Sequence, residues 1–409
     1  MSKEQQALKT IELRELQPLL SRTFGDRLIV VRFTSESLLQ PGENYGSTIL
    51  RVDAVIKRNN EAKEEDLHLI AKMPPPTEFQ QELFGSPLTF RKEIFMYEKI
   101  VPYYQELERE MGLKEDEVFD ILPRYYQSRL SLSPDVDFDD NAVILMENLR
   151  SHGYYIGDRT KGCDLEHSRV TIRAMARFHA LGMATKYKRP EHFEVFKEHS
   201  KCLELKTDKF EDFHKDMLAT IKEDPQLNAY ADRCEAAISE SVGRGMWNLT
   251  PDEPWSTIIH ADFWVNNFMF HRDEDGRVDD IKFVDFQNYL FLNPLREMVF
   301  FLFSSTAVSE DCLEELIDLY HETFLAVLDR MGCDTEPFTR EKFDAKLFID
   351  AKLEMMHLFF MLKIITLNVQ EIKLKYDQIE NLIMTYQGNE AFILRLRKVI
   401  FYFAKREWI

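Results

Sequence analysis

The first third of the chain carries the hydrophobic pattern of β-strands. In "GSTILRVDAVIKR", residues 46–58, apolar and polar residues alternate with the two-residue period of a strand that buries one face. The charged stretch "NNEAKEEDL", residues 59–67, predicts a hairpin loop, and "HLIAKMPPP", residues 68–76, predicts a second strand that its prolines end. The apolar run "NAVILMENL", residues 141–149, predicts a buried strand. We therefore expect a β-rich N-terminal part.

Apolar residues at helical spacing dominate the rest of the chain. One helix is predicted inside the first part, at residues 87–104, and a long amphipathic helix at residues 167–187. Two short strands, at residues 256–262 and 281–287, interrupt the second half, and the chain after Asn293 again has helical apolar stripes. This order predicts an α+β fold with two lobes, a small β-rich N-lobe and a large helical C-lobe, and a cleft between them.

The composition changes near "MENLRSHGY", which places the boundary between the lobes there. We expect an N-terminal lobe at residues 1–146, a hinge at residues 147–151, and a C-terminal catalytic and substrate lobe at residues 152–409. The length of 409 residues suits one enzyme with two lobes.

Charge and cysteine content narrow the class of protein. The formal net charge of -19 argues against nucleic acid or an anionic membrane surface as the main partner, since both require basic patches. The five cysteines are far apart and form no CxxC pair, so neither a disulfide framework nor a zinc site is predicted. The polar start "MSKEQQALKT" has no apolar signal segment, and the apolar runs are too short to span a membrane. We expect a cytoplasmic protein, and a monomer.

The stretch "IIHADFWVNNFMF", residues 258–270, places polar residues in an apolar strand and at its exit. Buried polar groups cost free energy unless they are paired or used. Asp262 and Asn267 have the spacing of the kinase catalytic loop, in which the Asp accepts a proton from the attacking hydroxyl and the Asn binds magnesium. His260 is expected to orient this loop by hydrogen bonds. The Asp–Asn spacing alone is a weak signal, because it arises by chance in many chains.

A second acid follows the next apolar run. Asp285 comes 18 residues after Asn267, at the end of "IKFVD". An acid at a strand end is well placed to bind a metal ion that bridges two phosphates. The whole order is more specific than either part, so we predict Asp262 as the catalytic base and Asn267 and Asp285 as magnesium ligands.

A phosphate-binding lysine is predicted in the β-rich part. Lys72 lies in the strand at residues 68–76 and Glu93 in the helix that follows, the kinase arrangement in which the glutamate holds the lysine on the ATP phosphates. The turn "GENYGSTIL", residues 42–50, is not a Walker A loop because no GK[ST] follows, but it is a candidate for the turn that covers the nucleotide. The ATP contacts predicted in this turn are Asn44, Tyr45, Gly46 and Ser47.

Each of these residues also has an ordinary structural interpretation. Asp262 can be a helix cap or a surface acid, His260 a hydrogen-bonded core histidine, and Asn267 a turn residue. Lys72 can be a solvated lysine at a strand end, and Glu93 a surface charge on its helix. The combination of all five, in this order, favours the kinase interpretation over the separate structural ones.

In these motifs the chain resembles the insect ecdysteroid kinase-like family, within the wider group of choline and aminoglycoside kinases. The loop "IIHADFWVNN" and the segment "IKFVDFQ" carry the resemblance, and Trp264 and the ending "DFQ" favour the insect branch. The resemblance covers most of the chain, including "GENYGSTILRV", "LIAKMPP", "FRKEIFMYEKIVP", "VILMENLRSHGY", "MARFHALGMA" and "NPLREMVFFLFSS". Two positions depart from the family pattern: Ala261 stands where the family usually has Gly, and Glu297 where it usually has Asp.

The resemblance implies a protein kinase-like phosphotransferase with ATP between its lobes and the adenine against Met146, Glu147 and Leu149 of the hinge. ATP and Mg²⁺ are the expected cofactors. The expected acceptor is a small-molecule alcohol, an ecdysteroid or a similar steroid or xenobiotic alcohol. A choline or ethanolamine kinase is an alternative, and would need acidic and aromatic walls around a cation. A catalytically inactive kinase fold that binds a small molecule is an alternative of another class.

Overall fold

The structure is a computed structural model of the chain, and it describes residues 11–38, 46–201, 210–243, 251–367 and 388–409. The chain forms two compact units, the first made of Met1–Pro102 and Leu122–Tyr154, the second of Tyr103–Ile121 and Tyr155–Ile409. The segment 103–121 therefore packs with the second unit although it precedes the predicted hinge, a feature that the linear boundaries predicted from the sequence do not include.

The order of elements confirms the predicted α+β class, with strands concentrated in the first unit and helices in the second. The strands are β1 (Ile29–Ser37), β2 (Thr48–Lys57), β3 (Glu65–Met73), β4 (Tyr125–Arg129), β5 (Val143–Glu147), β6 (Tyr155–Ile156), β7 (Thr257–Ile259), β8 (Phe268–Arg272), β9 (Val278–Phe283) and β10 (Leu290–Leu292). The helices of the first half are α1 (Leu16–Phe24), α2 (Glu78–Leu83), α3 (Ser86–Phe95), α4 (Val101–Glu110), α5 (Leu165–Lys188) and α6 (Pro190–His199). Those of the second half are α7 (Phe210–Glu223), α8 (Ala231–Gly243), α9 (Pro294–Ser304), α10 (Glu310–Arg330), α11 (Arg340–Thr366) and α12 (Glu390–Lys405).

The first unit is built on one antiparallel sheet with the strand order β1–β2–β3–β5–β4. Alternate residues of β2, from Leu50 to Ile56, are buried, as the two-residue period predicts, and α1 packs into the same core. Lys72 lies near the end of the central strand β3, between Ile49 of β2 and Ile144 of β5. Its position in the middle of the sheet, and not at an edge, explains why this lysine is buried.

Two strands and two helices of the first unit, the helices being α1 and α2, are additions to what the sequence predicts. Strands β1 and β4 are the edges of the sheet, and β1 exposes most of its side chains, so its sequence shows no buried face. Helix α1 precedes β1 and is not predicted. The helix predicted at residues 87–104 is longer in the structure, where α3 continues through a π-helical turn, Met96–Ile100, into α4.

In the second unit the long helix α5 packs against α10 and against the short strand β7. Gly182 makes the close approach to β7 possible, because a Cβ atom at this position would lie 2.4 Å from Thr257 Oγ1 and 2.8 Å from Tyr104 Oη. Strand β7 pairs with β10, and β6, β8 and β9 form a three-stranded sheet. The residues between β7 and β8 are those of the predicted catalytic loop, so two small sheets and α5 fix its two ends.

The sequence predicts neither a membrane-spanning segment nor a disulfide framework. Within the described part of the chain, no helix is long and apolar enough to cross a membrane. The cysteines that this part contains, Cys163, Cys234, Cys312 and Cys333, are all free thiols.

Candidate functional site

The predicted base and the predicted metal-binding amide are in contact. Asn267 lies at the end of a short 3-10 turn, Val265–Asn267, which reverses the chain after β7. Its Nδ2 donates to the carbonyl oxygen of Asp262, at 2.8 Å, and to Oδ2 of the same residue, at 3.0 Å. The five-residue spacing is therefore the span of a closed loop, in which the amide fixes both the backbone and the carboxylate of Asp262.

Backbone hydrogen bonds bring Asp285 to this loop. Val284 donates its N–H to the carbonyl oxygen of Asn267, at 3.0 Å, and its own carbonyl accepts from His260 Nε2, at 2.9 Å. Asp285 follows directly, half-buried and with a φ of 66° in the left-handed region. Few residues other than glycine adopt this conformation, and it turns the chain out of the strand direction immediately after the contact.

His260 acts on this arrangement as a neutral hydrogen-bond donor. Since a carbonyl oxygen can only accept, Nε2 carries the proton that it donates to Val284, and Nδ1 is unprotonated. Burial lowers the pKa of His260 below its ordinary value, and the ring lies 4.4 Å from the ring of Phe286. The neutral ring therefore donates from Nε2 to the carbonyl oxygen of Val284 at neutral pH. The orienting role of His260 in catalysis stays a prediction.

A buried carboxylate holds the other side of the loop. Glu297, on α9, is 3 % exposed and accepts from the backbone N–H groups of His260, at 3.2 Å, and Ala261, at 2.5 Å. Its Oε1 also accepts from His179 Nε2, at 2.8 Å, and the Nδ1 of that histidine accepts from the hydroxyl of Tyr320. Glu297 therefore joins three helices to the residue that precedes Asp262.

Ala261 adopts the strained conformation for which the family's glycine is suited. Its φ is 64°, so its methyl group carries the cost of about 1 kcal/mol or more that L-residues have in the left-handed region. The hydrogen bond from its N–H to Glu297 is charge-assisted and helps to offset that cost. The substitution of Ala for Gly thus changes the energy of the loop more than its shape.

The donor atoms near the loop suit a magnesium ion. Mg²⁺ prefers oxygen ligands, usually one or two carboxylates with water and phosphate oxygens. Asp285 supplies a carboxylate, and Asn267 supplies an amide oxygen, since its amide nitrogen is the atom that contacts Asp262. Among the described residues there is no cluster of three or more His, Cys, Asp or Glu side chains that could hold a metal without such outside ligands. Their role as metal ligands stays a prediction.

In the first unit, the predicted lysine–glutamate pair is formed. Lys72 Nζ lies 2.5 Å from Glu93 Oε2, and both side chains are almost fully buried, with 3 % and 1 % of their surface exposed. The surface interpretations of both residues are therefore wrong. A buried ion pair is costly to form, so its presence in a sheet core favours a functional role over simple stabilisation.

The predicted nucleotide contacts are only partly within the described residues. Asn44 and Tyr45 lie outside them, whereas Gly46 and Ser47 are buried and lead directly into β2. Their contact with ATP stays a prediction.

The predicted hinge continues strand β5. Met146 is buried and accepts a hydrogen bond at its sulfur from Tyr97 Oη, at 3.8 Å, and Leu149 is buried too. The N–H of Glu147 already donates to the carbonyl oxygen of Arg124. A nucleotide base at this hinge would therefore have to bond to backbone groups other than the N–H of Glu147.

A second buried ion pair lies near the loop and is not predicted from the sequence. Arg296, next to Glu297 on α9, pairs with Glu354 on α11, with Nε and Nη2 at 2.8 and 2.7 Å from one carboxylate oxygen. The available signal was a charged residue inside each of two apolar helical runs, "PLREMVFF" and "KLEMMHLFF". Such a charge signals burial with a partner, but it does not identify the partner.

Because Ala261 lies in the left-handed region, its replacement by glycine should not lower the free energy of unfolding. Ala261→Gly should leave the free energy of unfolding unchanged or raise it by up to about 1 kcal/mol, because glycine removes the strain. The matched control is Ala236→Gly, on the exposed side of α8, where glycine should lower the free energy of unfolding by about 1 kcal/mol. Denaturant unfolding of both variants tests this, and an equal loss in the two would contradict it.

Because the Lys72–Glu93 pair is buried, breaking it should lower the free energy of unfolding. Variants of similar shape but without charge measure this effect independently of catalysis. Lys72→Met removes the ammonium from a buried carboxylate and should lower the free energy of unfolding by about 3–5 kcal/mol. The double variant Lys72→Met with Glu93→Gln removes both charges and should regain most of this. Arg58→Met, just beyond the end of β2, breaks an exposed pair with Glu65 and should lower the free energy of unfolding far less than Lys72→Met does. A double variant less stable than Lys72→Met would refute the pairing.

Comparison with solved structures finds small-molecule kinases at low identity. A spectinomycin phosphotransferase in complex with ADP and spectinomycin is 8 % identical, with 93 % of this chain and 94 % of that one covered and a TM-score of 0.44. An ethanolamine kinase from Plasmodium vivax is 12 % identical, with coverages of 91 % and 85 % and a TM-score of 0.38. A glucosamine kinase is 11 % identical, with coverages of 92 % and 97 % and a TM-score of 0.37.

No protein among the curated sequences matches the chain at a significant level. The model of the ecdysteroid kinase-like family matches residues 41–333, which include the lysine strand, the hinge, the loop after β7 and Asp285. This match and the order of elements confirm the predicted two-part, protein kinase-like fold. Since the matched residues make up more than two thirds of its length, the chain belongs to the ecdysteroid kinase-like family.

Proposed function

We propose that this protein is an ATP-dependent kinase that transfers the γ-phosphate to a hydroxyl group of a small molecule. The observation that carries the proposal is the bonded loop, in which Asn267 holds the carboxylate of Asp262 and Val284 ties Asp285 to the same backbone. Membership of the ecdysteroid kinase-like family supports the same activity.

In the proposed reaction, Asp262 orients the acceptor hydroxyl and takes its proton. As the acceptor oxygen forms its bond to the γ-phosphorus, the bond to the β-phosphate oxygen breaks, ADP leaves, and the hydroxyl proton passes to the Asp262 carboxylate. The hydrogen bond from Asn267 fixes this carboxylate before the acceptor binds, so that less ordering is needed during the reaction.

The remaining site residues would neutralise and position the triphosphate. Asn267 and Asp285 would hold Mg²⁺, which on binding offsets the negative charge of the phosphates. Lys72, held in place by Glu93, would donate to the α- and β-phosphates. Because the chain has a net charge of -19, such local positive charge is needed for any triphosphate to bind.

For the acceptor, we propose an ecdysteroid or a similar steroid or xenobiotic alcohol. The family description supports a steroid, and the Phe- and Met-rich second half is compatible with an apolar binding wall. A choline or ethanolamine kinase needs a cation site, and a polyhydroxylated, largely apolar alcohol does not.

Removal of the proposed base predicts a loss of turnover. Asp262→Asn keeps the shape of the side chain but not its proton affinity, so the transfer rate should fall on the order of 10²–10⁴-fold while ATP affinity changes little. Asp279→Asn, at an exposed carboxylate on β9, should leave the rate unchanged. Rates are measured as the phosphorylated product formed. Near-normal transfer by Asp262→Asn would exclude this residue as the base.

The acceptor class is tested by direct competition. The protein, ATP and Mg²⁺ are incubated with 20-hydroxyecdysone, choline and ethanolamine at equal concentrations, and products are quantified by mass spectrometry. We expect the phosphorylated steroid to exceed phosphocholine and phosphoethanolamine by at least tenfold. A larger yield of phosphocholine would overturn the acceptor and leave the kinase activity standing. Binding of the steroid without transfer to any alcohol would instead favour an inactive binding protein.

A further inference from the structure

The loop that carries Asp262 has a second anchor at the C-terminal end of α9. After Asp262 the chain enters the 3-10 turn Val265–Asn267, and Trp264, which precedes this turn, makes no side-chain capping bond to it. The backbone N–H of Val265 is buried and donates to Ser305 Oγ, at 3.1 Å. Ser305 therefore caps the turn from another element of the chain.

The acceptor in this contact is itself held in place. Ser305 is the C-cap of α9 and is 1 % exposed. Its backbone N–H donates to the carbonyl oxygen of Phe301, at 3.0 Å, and its carbonyl oxygen accepts from the N–H of Cys163, at 2.7 Å. Its hydroxyl also lies 3.0 Å from the hydroxyl of Ser304, so a hydrogen bond between the two leaves Ser305 Oγ able to accept from Val265. A fixed acceptor limits the position of the peptide that donates to it.

Helix α9 thus holds the loop on both sides of Asp262. Glu297, in the first turn of α9, accepts from the backbone N–H of Ala261, and Ser305, at its end, accepts from that of Val265. Every residue of α9 is buried, which makes this helix a rigid support. One element therefore fixes the backbone just before the carboxylate and just after it.

The turn carries the effect of Ser305 to the carboxylate. The N–H of Asn267 donates to the carbonyl oxygen of Trp264, at 2.8 Å, and its Nδ2 donates to Asp262 Oδ2, at 3.0 Å. A 3-10 turn of three residues is too short to be stable by itself, so its shape depends on bonds from outside. Ser305 supplies such a bond and acts on Asp262 through Asn267.

Solvent does not offer Val265 a ready substitute for the serine. Val265 is 1 % exposed, and a Cβ atom at Gly157 would lie 2.4 Å from its Cγ2, so the chain packs closely on its side chain. A buried N–H without an acceptor is unfavourable. If the hydroxyl of Ser305 were removed, the turn would have to shift in order to satisfy this donor, and Asn267 would shift with it.

We propose that Ser305 is a positioning residue of the kinase reaction: by accepting the N–H of Val265 it fixes the turn that carries Asn267, and through Asn267 the carboxylate of Asp262. The effect on catalysis rests on the proposed function. The effect on the loop does not, and it can be measured without a substrate.

The first test follows the backbone N–H of Val265 by NMR in the full chain, labelled with ¹⁵N-valine and without ATP. Its signal is identified by its loss in Val265→Ala, and exchange rates are divided by that of the slowest valine N–H of each variant, which reports global unfolding. Ser305→Ala removes the acceptor, so this N–H should exchange on the order of tenfold faster. Ser305→Thr keeps the hydroxyl and should keep exchange slow. Ser309→Ala is the matched control, because it removes the serine cap of α10, and it should leave the ratio unchanged.

The second test measures phosphate transfer from ATP to 20-hydroxyecdysone, with rates expressed per folded chain. Ser305→Ala should lower kcat on the order of tenfold, because the carboxylate is less well oriented, and should change KM for ATP by less than about twofold, because Lys72 and Glu93 are intact. Ser305→Thr should regain most of the rate. A role in stability alone would affect Ser305→Ala and Ser309→Ala alike, whereas a positioning role affects only the first.

Three results would overturn the proposal: unchanged exchange of the Val265 N–H in Ser305→Ala, faster exchange with a normal kcat, or an equal fall of kcat in Ser305→Ala and Ser309→Ala. A wild-type chain that transfers phosphate to no alcohol would contradict the proposed function and, with it, the catalytic role of Ser305. The exchange of the Val265 N–H would still decide whether Ser305 holds the loop.

Discussion

The bond between the carboxylate of Glu297 and the backbone of Ala261 is the constraint on which the rest of the site depends. A carboxylate this deeply buried is tolerated only because N–H donors satisfy both of its oxygens, and the donors come from the loop and from His179. The consequence is a fixed, strained backbone immediately before Asp262. If the carboxylate were absent, Ala261 would lose the interaction that offsets its left-handed conformation, and the direction of the next side chain would no longer be determined.

From that point the loop closes through short-range bonds. Asn267 returns to Asp262, and Val284 bridges the loop and the following strand by using both of its backbone groups. Each bond contributes only about 1 kcal/mol in net terms, but together they leave the loop little freedom and bring Asp285 to it. Functional groups held in this way by helices and small sheets are positioned before a substrate arrives, which a mobile loop cannot achieve.

The Lys72–Glu93 and Arg296–Glu354 pairs differ in the geometry of the cation. Lys72 on β3 brings an ammonium to the carboxylate of Glu93 on α3. Arg296 brings a guanidinium to Glu354. Its rigid fork has more donors than one carboxylate can accept, and among the described residues its Nη1 has no partner. Replacing either pair by apolar residues would be near neutral for stability, so neither is explained by stability alone.

The sequence by itself determined the three central strands of the first unit and the helical character of the second, and it placed Asp262 and Asn267 in one short loop. These features are local, since alternation and five-residue spacing act through neighbouring residues. Only the tertiary structure decided that residues 103–121 pack with the second unit, and that Arg296 meets Glu354 from a helix 58 residues away. Periodicity shows that a charged side chain lies on a buried face, but its partner and its unused donor depend on which helices meet. That is set by packing over the whole unit.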